Sequence, residues 1–406
     1  MGKESFAHTT PAHLSNVMEL KYHLAKDTIH KDDIDALIEW LKSYPRLTQG
    51  ALVREFEKVW RTWLGAKHAV MVNSGSSANL LMHHALLYSG RRKNKKIIVP
   101  SCGWATTIAP ALQLGFEPIM CEADPDTWGL DLACLKTLLE EHGPGAVMLV
   151  HVLGVPHTMD EVMALKEQYG FTLLEDTCAA IGASYKGKHV GTFGEMASIS
   201  LYFGHQISTI EGGIVTTDDD ELYEHLLMGR SHGWGKELPK DVRAARQKKY
   251  NVDPAHNPFV FYEPGYNLRA TDLQAFLGIR QVDRMDEIIK KRSVNHAHYK
   301  KLLEGHIGMQ TYSSDDTVCS IHFCGLAKNG AEREIIVRAL EEAGIETRLF
   351  TAGNLGRHPF WADIQGEARF KTADKLYDTG FFLPNHPLLT EEDVAYIARV
   401  VVQSIT

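Results

Sequence analysis

No stretch of this 406-residue chain is apolar for long enough to span a bilayer. The longest apolar run, Gly145 to Val155, is broken by His151 and falls far short of the ~20 residues a membrane helix needs. The opening residues, MGKESFAHTTPAH, lack the apolar core of a secretory leader, and Phe6 stands where a myristoylation signal carries Ser or Thr. A cytoplasmic location is therefore expected. Cysteine is scarce. Six residues, Cys102, Cys121, Cys134, Cys178, Cys319 and Cys324, form no CxxC step, so buried small hydrophobes are expected rather than disulfides or metal ligands. The 21 histidines form no HExxH motif, and no metal site is expected. A net charge of −8 disfavours nucleic acid and anionic membrane as main partners. The one basic run, Arg91 to Lys96 (RRKNKK), has no interleaved aromatic residues and reads as a solvated loop.

What is present is ordinary globular composition, 44% hydrophobic and 23% charged, with length for a large core and two domains. Helical spacing marks Asp32 to Ser43 and Leu52 to Leu64, separated by the breaker YPRLTQG. Strands and helices then alternate. Strand, tight turn and helix follow in HAVMVNSGSSANLLMHHALL. Strands are expected at IIVPSC, EPIMCEAD, AVMLVHVLG, FTLLED, Met196 to Phe203 and GIVTTD. Helices are expected at Thr106 to Leu114, Leu132 to Glu141 and MDEVMALKEQYG. The strands are continuous apolar runs, which predicts burial on both faces and a mostly parallel α/β sheet. A long helix is expected from Thr271 to about Glu304, then a strand in CSIHFCGLA and a helix in EREIIVRALEEAG. This predicts an N-terminal segment (1–30), a large domain (31–285) and a smaller C-terminal α/β domain (286–406).

Four features of the large domain carry chemistry. Asn73-Ser74-Gly75-Ser76-Ser77 opens a helix after a strand, which suits either an anion cradle built by Gly75, Ser76 and Ser77 or a structural cap. Trp104 follows a strand end, where it can stack on a flat ring or sit in the core. Glu175 and Asp176 close another strand; Asp176 can face a protonated pyridine nitrogen or cap a helix. In SLYFGHQISTIEGG, Ser200 ends a strand and His205 occupies the following turn. A lone histidine there would be structural; beside the other three it completes a site for pyridoxal phosphate.

The pieces LTQGALVREFE, NSGSSANL, VPSCGWATT, LLEDTCAAIGASYKGKHVGTFG, SLYFGHQISTIEGG, RSHGW, GYNLRATDLQAFLG and ETRLF occur in order from Leu47 onward. With them the chain resembles the sugar aminotransferase family of fold-type I pyridoxal-phosphate proteins. That resemblance implies the fold-type I architecture. The family carries a lysine, bonded covalently to the cofactor, where this chain has His205. Lys186 and Lys188 lie in the turn ahead of the strand and do not replace it. FGHQISTIEGG and RSHGW resemble a histidine-bearing branch, the GDP-4-keto-6-deoxy-D-mannose 3-dehydratases of colitose formation. A second histidine branch, the iron–sulphur 3-dehydrases of CDP-linked sugars, uses grouped cysteines with a Cys-x-Cys step that this chain lacks. A sugar aminotransferase working without lysine and a non-catalytic cofactor-binding protein are the other readings.

The resemblance implies pyridoxal or pyridoxamine phosphate as cofactor, glutamate as amino donor, and loss of the C3 hydroxyl of a nucleotide-linked 4-keto-6-deoxy sugar. An imidazole forms no stable imine with an aldehyde, so the cofactor must be held by phosphate, stacking and ring-nitrogen contacts. With an unperturbed pKa of about 6.5, His205 keeps the ability to move protons at neutral pH. Ser200 is expected at the phosphate, and Asn267 at the phosphate of the other subunit of a homodimer with shared sites. Glu211 is expected either at the substrate or ordering the turn. Arg348 is expected at the nucleotide diphosphate or the donor carboxylate, against a surface ion pair.

Overall fold

The computed structural model describes residues 20–253, 255–256, 259–350 and 353–406. The leader and myristoylation readings fall on residues 1–19 and lie outside the described residues. The N-terminal part holds helices α1 (Lys31–Leu41), α2 (Ala51–Leu64), α3 (Gly75–Tyr88), α4 (Ala105–Gln113), α5 (Leu132–His142), α6 (Met159–Tyr169), α7 (Asp220–Arg230), α8 (Lys240–Lys249) and α9 (Asp272–Val282). Interleaved with them are β1 (His68–Val72), β2 (Lys96–Pro100), β3 (Glu117–Cys121), β4 (Ala146–Val150), β5 (Thr172–Asp176), the short pair β6 (Ser184–Tyr185) and β7 (Lys188–His189), β8 (Met196–Ser200) and β9 (Gly213–Thr217). The C-terminal part adds α10 (Met285–Leu303), β10 (His322–Leu326), α11 (Gly330–Glu342), α12 (Pro359–Gln365), α13 (Lys371–Thr379), β11 (Gly380–Pro384) and α14 (Glu391–Ile405).

Seven strands make one sheet in the order β1-β9-β8-β5-β4-β2-β3. Five of them, from β8 to β3, run parallel, and only β9 is reversed, pairing antiparallel with both β8 and β1. The strands read as unbroken apolar runs because helices cover both faces. Alternate residues point to opposite faces, so neighbours in one strand enter different cores. Ile97, Val99, Met148 and Leu174 pack with Leu81 and Ala85 of α3, Ile108 of α4 and Leu226 of α7. Ile98, Val147, Leu149 and Leu173 pack with Leu135 and Leu139 of α5 and with Met159 and Val162 of α6.

This geometry positions the functional residues. β1, β2, β5 and β8 point the same way, so their carboxyl ends share one edge of the sheet. Residues 73–77, Trp104, Asp176 and Ser200–His205 all follow those ends. Open parallel sheets bind ligands at that edge.

Several expected strands end early, among them the one over AVMLVHVLG, which stops at Val150, and two changes bear on the site. The strand expected from Met196 to Phe203 stops at Ser200, because Leu201 donates its N–H to the Gly212 carbonyl at 2.9 Å and the chain folds back on itself. The helix expected from Thr271 to Glu304 is two helices, α9 and α10, with the break at Asp283-Arg284. Arg284 is drawn out of register toward α1, where it meets Asp33 at 2.7 Å and the Thr28 carbonyl at 3.2 Å. α10 then serves two cores. Met285 and Ile288 pack beneath the sheet, while Tyr299 and Leu303 join Phe323, Phe381, Ile336 and Ile397 around β10 and β11. The described part of the N-terminal segment lies against the C-terminal part: Tyr22 bridges to Ile345, and Leu24 donates to Glu346 at 2.8 Å.

Candidate active site

The first turn of α3 begins the site. Ser74 caps the helix by accepting from the Ser77 N–H at 3.0 Å, and Ser77 donates to Asn73 at 2.6 Å. The N–H groups of Gly75 and Ser76 fall in the turn where helices leave donors without intrahelical acceptors. Ser76 shares a hydrogen bond with Thr106 of α4 at 2.9 Å, so two helix N-termini are tied side by side. Gly75 is there because nothing larger fits. A Cβ on it would lie 2.6 Å from the Ser200 Cβ and 3.1 Å from the Cys178 sulfur. Gly213 is needed for the same reason, since a Cβ there would lie 2.3 Å from the Ser74 carbonyl oxygen. Backbone, Ser200 hydroxyl and helix N-terminus thus meet in one small cradle suited to a phosphate. Substituting Gly75 by valine is expected to push α3 off Ser200. Cofactor affinity should drop by ~10-fold or more, with a lowered melting temperature, because overpacking costs about 1–3 kcal/mol. Fluorescence titration with pyridoxal phosphate and thermal melts check it.

Asp176 lies beside the cradle, buried. One carboxylate oxygen accepts from Asn79 of α3 at 3.0 Å and from Thr107 of α4 at 2.6 Å; the other accepts from the Cys178 N–H at 2.9 Å. A carboxylate offers roughly four acceptor positions. Three are filled by donors on fixed elements, and one is left for a further N–H donor. Glu175, its neighbour, points to the opposite face. It accepts from His151 at 3.0 Å and from the backbone of Gly191, Phe193 and Gly194, which fixes the 191–194 turn. Strand alternation separates the two acids, so only Asp176 belongs to the site.

His205 is held in a turn closed at its base by Leu201 and Gly212 and again by the Thr209 N–H to the Leu201 carbonyl, 2.9 Å. The turn is fastened from several sides. Gln206 donates to the carbonyls of Ala179 (2.8 Å) and Cys319 (2.7 Å). Gln281 of α9 grips both backbone groups of Ser208. Arg292 of α10 donates to the His205 carbonyl at 3.1 Å. The imidazole is partly open to solvent, but its Nδ1 is enclosed and, among the described residues, has no hydrogen-bond partner. Burial lowers the His205 pKa to about 4; Asp176 opposes that shift, and Arg292 adds to it. The ring is therefore an unprotonated base at neutral pH, more completely than an unperturbed histidine would be.

The remaining expected residues are more dispersed. Trp104 caps α4 with its side chain 55% exposed, so it is not a core residue. Asn267 is exposed, and its neighbour Leu268 accepts from the Asn73 N–H at 3.0 Å, so its segment runs past the start of α3. Glu211 is exposed; its carbonyl accepts from Thr209 (2.8 Å) and Gln274 (2.6 Å), so the backbone orders the turn and leaves the carboxylate free. Arg348 is exposed and 4.0 Å from Glu346. Lys186 is engaged with Asp160 at 2.5 Å in the β6–β7 turn. The structure thus brings together Gly75, Ser76, Ser77, Asp176, Ser200 and His205.

The chain has a match to the model of the DegT/DnrJ/EryC1/StrS aminotransferase family over residues 27–402. It belongs to that family. Among curated members, a GDP-4-keto-6-deoxy-D-mannose 3-dehydratase from Yersinia pseudotuberculosis is 33% identical over 94% of this chain and 98% of its own. Two solved structures of family members superpose throughout. An Escherichia coli GDP-4-keto-6-deoxy-D-mannose 3-dehydratase with bound hydrated pyridoxal phosphate gives a TM-score of 0.87 at 30% identity, covering 95% of this chain and 100% of that one. A GDP-4-keto-6-deoxymannose 3-dehydratase with a trapped PLP-glutamate geminal diamine gives 0.83 at 31% identity, covering 94% and 100%. The architecture of this family member is the fold-type I one, with its mostly parallel sheet and flanking helices.

The site geometry fits the family's cofactor on its own terms: an anion cradle at a helix N-terminus, a carboxylate with one open acceptor position, and an enclosed imidazole nitrogen without a partner among the described residues. Several residues of this site carried no sequence signal as functional, among them Asn79, Thr107, Gln206 and Gln281. Arg292 did carry one. The buried stripe Met285, Ile288, Arg292, His296, Tyr299 and Leu303 runs at helical spacing, and a cation occupies an apolar place in it.

Proposed function

We propose that this chain is a pyridoxal/pyridoxamine-phosphate-dependent dehydratase that removes the C3 hydroxyl of GDP-4-keto-6-deoxy-D-mannose, with glutamate as amino donor. One observation carries the reading. In a chain of the aminotransferase family, the turn that faces Asp176 presents a half-buried, unprotonated histidine and no lysine. When bound, the cofactor supplies an amine for the sugar's C4 ketone and an electron sink beside it.

The chain's own residues do the rest. Gly75, Ser76, Ser77 and Ser200 would hold the phosphate, and Trp104 would be available to stack on the ring. Asp176 would accept a hydrogen bond from the protonated ring nitrogen in its open position, and its charge would favour keeping that proton on the ring. His205 takes a proton from the cofactor-side carbon. Because its surroundings disfavour imidazolium, it gives that proton up readily to the departing C3 hydroxyl. No amine stands here to pass an amino group on, so the reaction ends in a deoxy ketone and ammonia. Glu211 and Arg348 face the sugar and the diphosphate. Asn267 completes the phosphate site of a second copy in a homodimer. The chain divides near residue 285, works in the cytoplasm, and serves the colitose branch of O-antigen assembly.

Incubation with pyridoxal phosphate, glutamate and GDP-4-keto-6-deoxy-D-mannose tests this. The expected nucleotide sugar is lighter by one oxygen atom, with 2-oxoglutarate and ammonia released. A C4-amino sugar would make the protein an aminotransferase, and absence of cofactor binding would end the reading.

A further inference from the structure

Arg292 is fully buried, yet among the described residues no carboxylate forms an ion pair with it. Its charge is instead met by main-chain carbonyls. One guanidinium nitrogen donates to Ser320 (3.4 Å), Ile321 (3.1 Å) and Asn385; the other donates to His205 (3.1 Å). Asn385 closes the arrangement by donating to the carbonyls of Arg292 (3.2 Å) and Ser320 (3.0 Å). Three of the four acceptors lie around β10 and β11, and the fourth is the backbone of the residue that carries the chemistry. A neutral donor could make such a cross-link. A cation buried without a counter-ion is costly to keep, so its charge calls for an explanation.

We infer that Arg292 is a positioning residue for His205, fastening its turn to the C-terminal part through the His205 carbonyl and setting a fixed positive charge near the ring. This rests on the dehydratase reading, in which His205 is the base. The charged and titratable groups around the ring are few. Asp176 at the end of β5 favours protonation; Arg292 from α10 opposes it, and burial opposes it most. His322 of β10, itself held at about 3 by burial, is close enough to be affected by Arg292, His205 and Arg348, and it bonds the Leu24 backbone. Burial lowers the Arg292 pKa only to about 10, so the guanidinium stays charged at neutral pH and its field on the ring is permanent. With a lysine at position 205, a covalent bond to the cofactor would fix the side chain. A histidine has no such anchor, and a guanidinium on its carbonyl supplies one. Misplacement of a catalytic group by about 1 Å can cost 10²-fold in rate.

The test uses Arg292→Met and Arg292→Lys in the full-length protein. The His205 ring is followed by NMR of ¹³C-histidine-labelled protein, its signal identified by its loss in His205→Asn. Arg292→Met is expected to raise the His205 titration midpoint by about half a unit to one unit, because a nearby like charge is gone. It is also expected to lower turnover by ~10–100-fold with KM for the sugar little changed. Arg292→Lys keeps the charge but reaches fewer carbonyls. Its midpoint should stay at the parent value while turnover falls ~10-fold or more. Should Arg292→Met fail to fold, Arg292→Lys decides alone. An unchanged midpoint in Arg292→Met, or parental turnover in Arg292→Lys, overturns the inference. The NMR midpoint needs no substrate, so a wrong assignment of the reaction would leave that arm intact.

Discussion

His205→Asn is expected to lose about 10²–10⁴-fold in the dehydration step while still binding pyridoxal phosphate, since a positioned general base is typically worth that much. Asparagine occupies similar space and keeps the turn's backbone, which is fastened by Gln206, Gln281 and Arg292 rather than by the imidazole. Binding and chemistry should therefore separate. Isothermal titration with pyridoxal phosphate and single-turnover product formation measure the two independently; loss of both together would mean that His205 only supports the fold. The pH dependence has a definite sign. Burial depresses the His205 pKa from its usual value to about 4. The base form then predominates throughout the neutral range, and the rate in the parent should be level between about pH 6 and 8. It should decline as pH falls toward the depressed value rather than near an unperturbed 6.5. The companion change, His205→Lys, places an amine in the turn. A borohydride-trappable link to the cofactor should appear, and 3-deoxy product should diminish.

Asp176→Asn should be the other severe lesion. An amide cannot replace this carboxylate, because all three of its partners are donors: Asn79, Thr107 and the Cys178 N–H. Whichever way the amide is turned, its NH₂ group meets at least one of them head-on in a buried site. An unsatisfied buried donor costs about 1–3 kcal/mol. The loss of negative charge also removes the partner for the cofactor's ring nitrogen. Cofactor affinity is expected to fall by ~10²-fold, with turnover falling at least as far, since hydrogen bonds to charged groups are worth about 1.5–3 kcal/mol each. Cofactor retention on gel filtration and steady-state rates check both. Parental affinity in Asp176→Asn would remove Asp176 from the cofactor site.

These two residues stand out in the same way. Both were legible in the sequence, because an acid at a buried strand's end and a histidine after another strand are local patterns. The α/β class was legible for the same reason: unbroken apolar strands between helical repeats mean a sheet covered on both faces. The exclusion of Glu175, one residue from Asp176, needed only the alternation of a strand once its faces were known. Arg292 was different. It stands in EIIKKRSVNH among other cations, and only its place in the buried helical stripe of α10 separates it from the exposed Lys290 and Lys291.

The sequence alone determined the sheet, the order of its elements and the residue types at the strand ends, because each depends on spacing within a dozen residues or so. Only the tertiary structure decided which of those ends meet. It tied Asn79 and Thr107, from two different helices, to one carboxylate, and it stopped a strand at Ser200 by folding the chain back through Gly212. It split a long amphipathic stretch where Arg284 reaches Asp33. And it set a guanidinium from α10 on the backbone of a histidine 87 residues away in sequence. Those outcomes depend on contacts between distant segments, which periodicity does not encode.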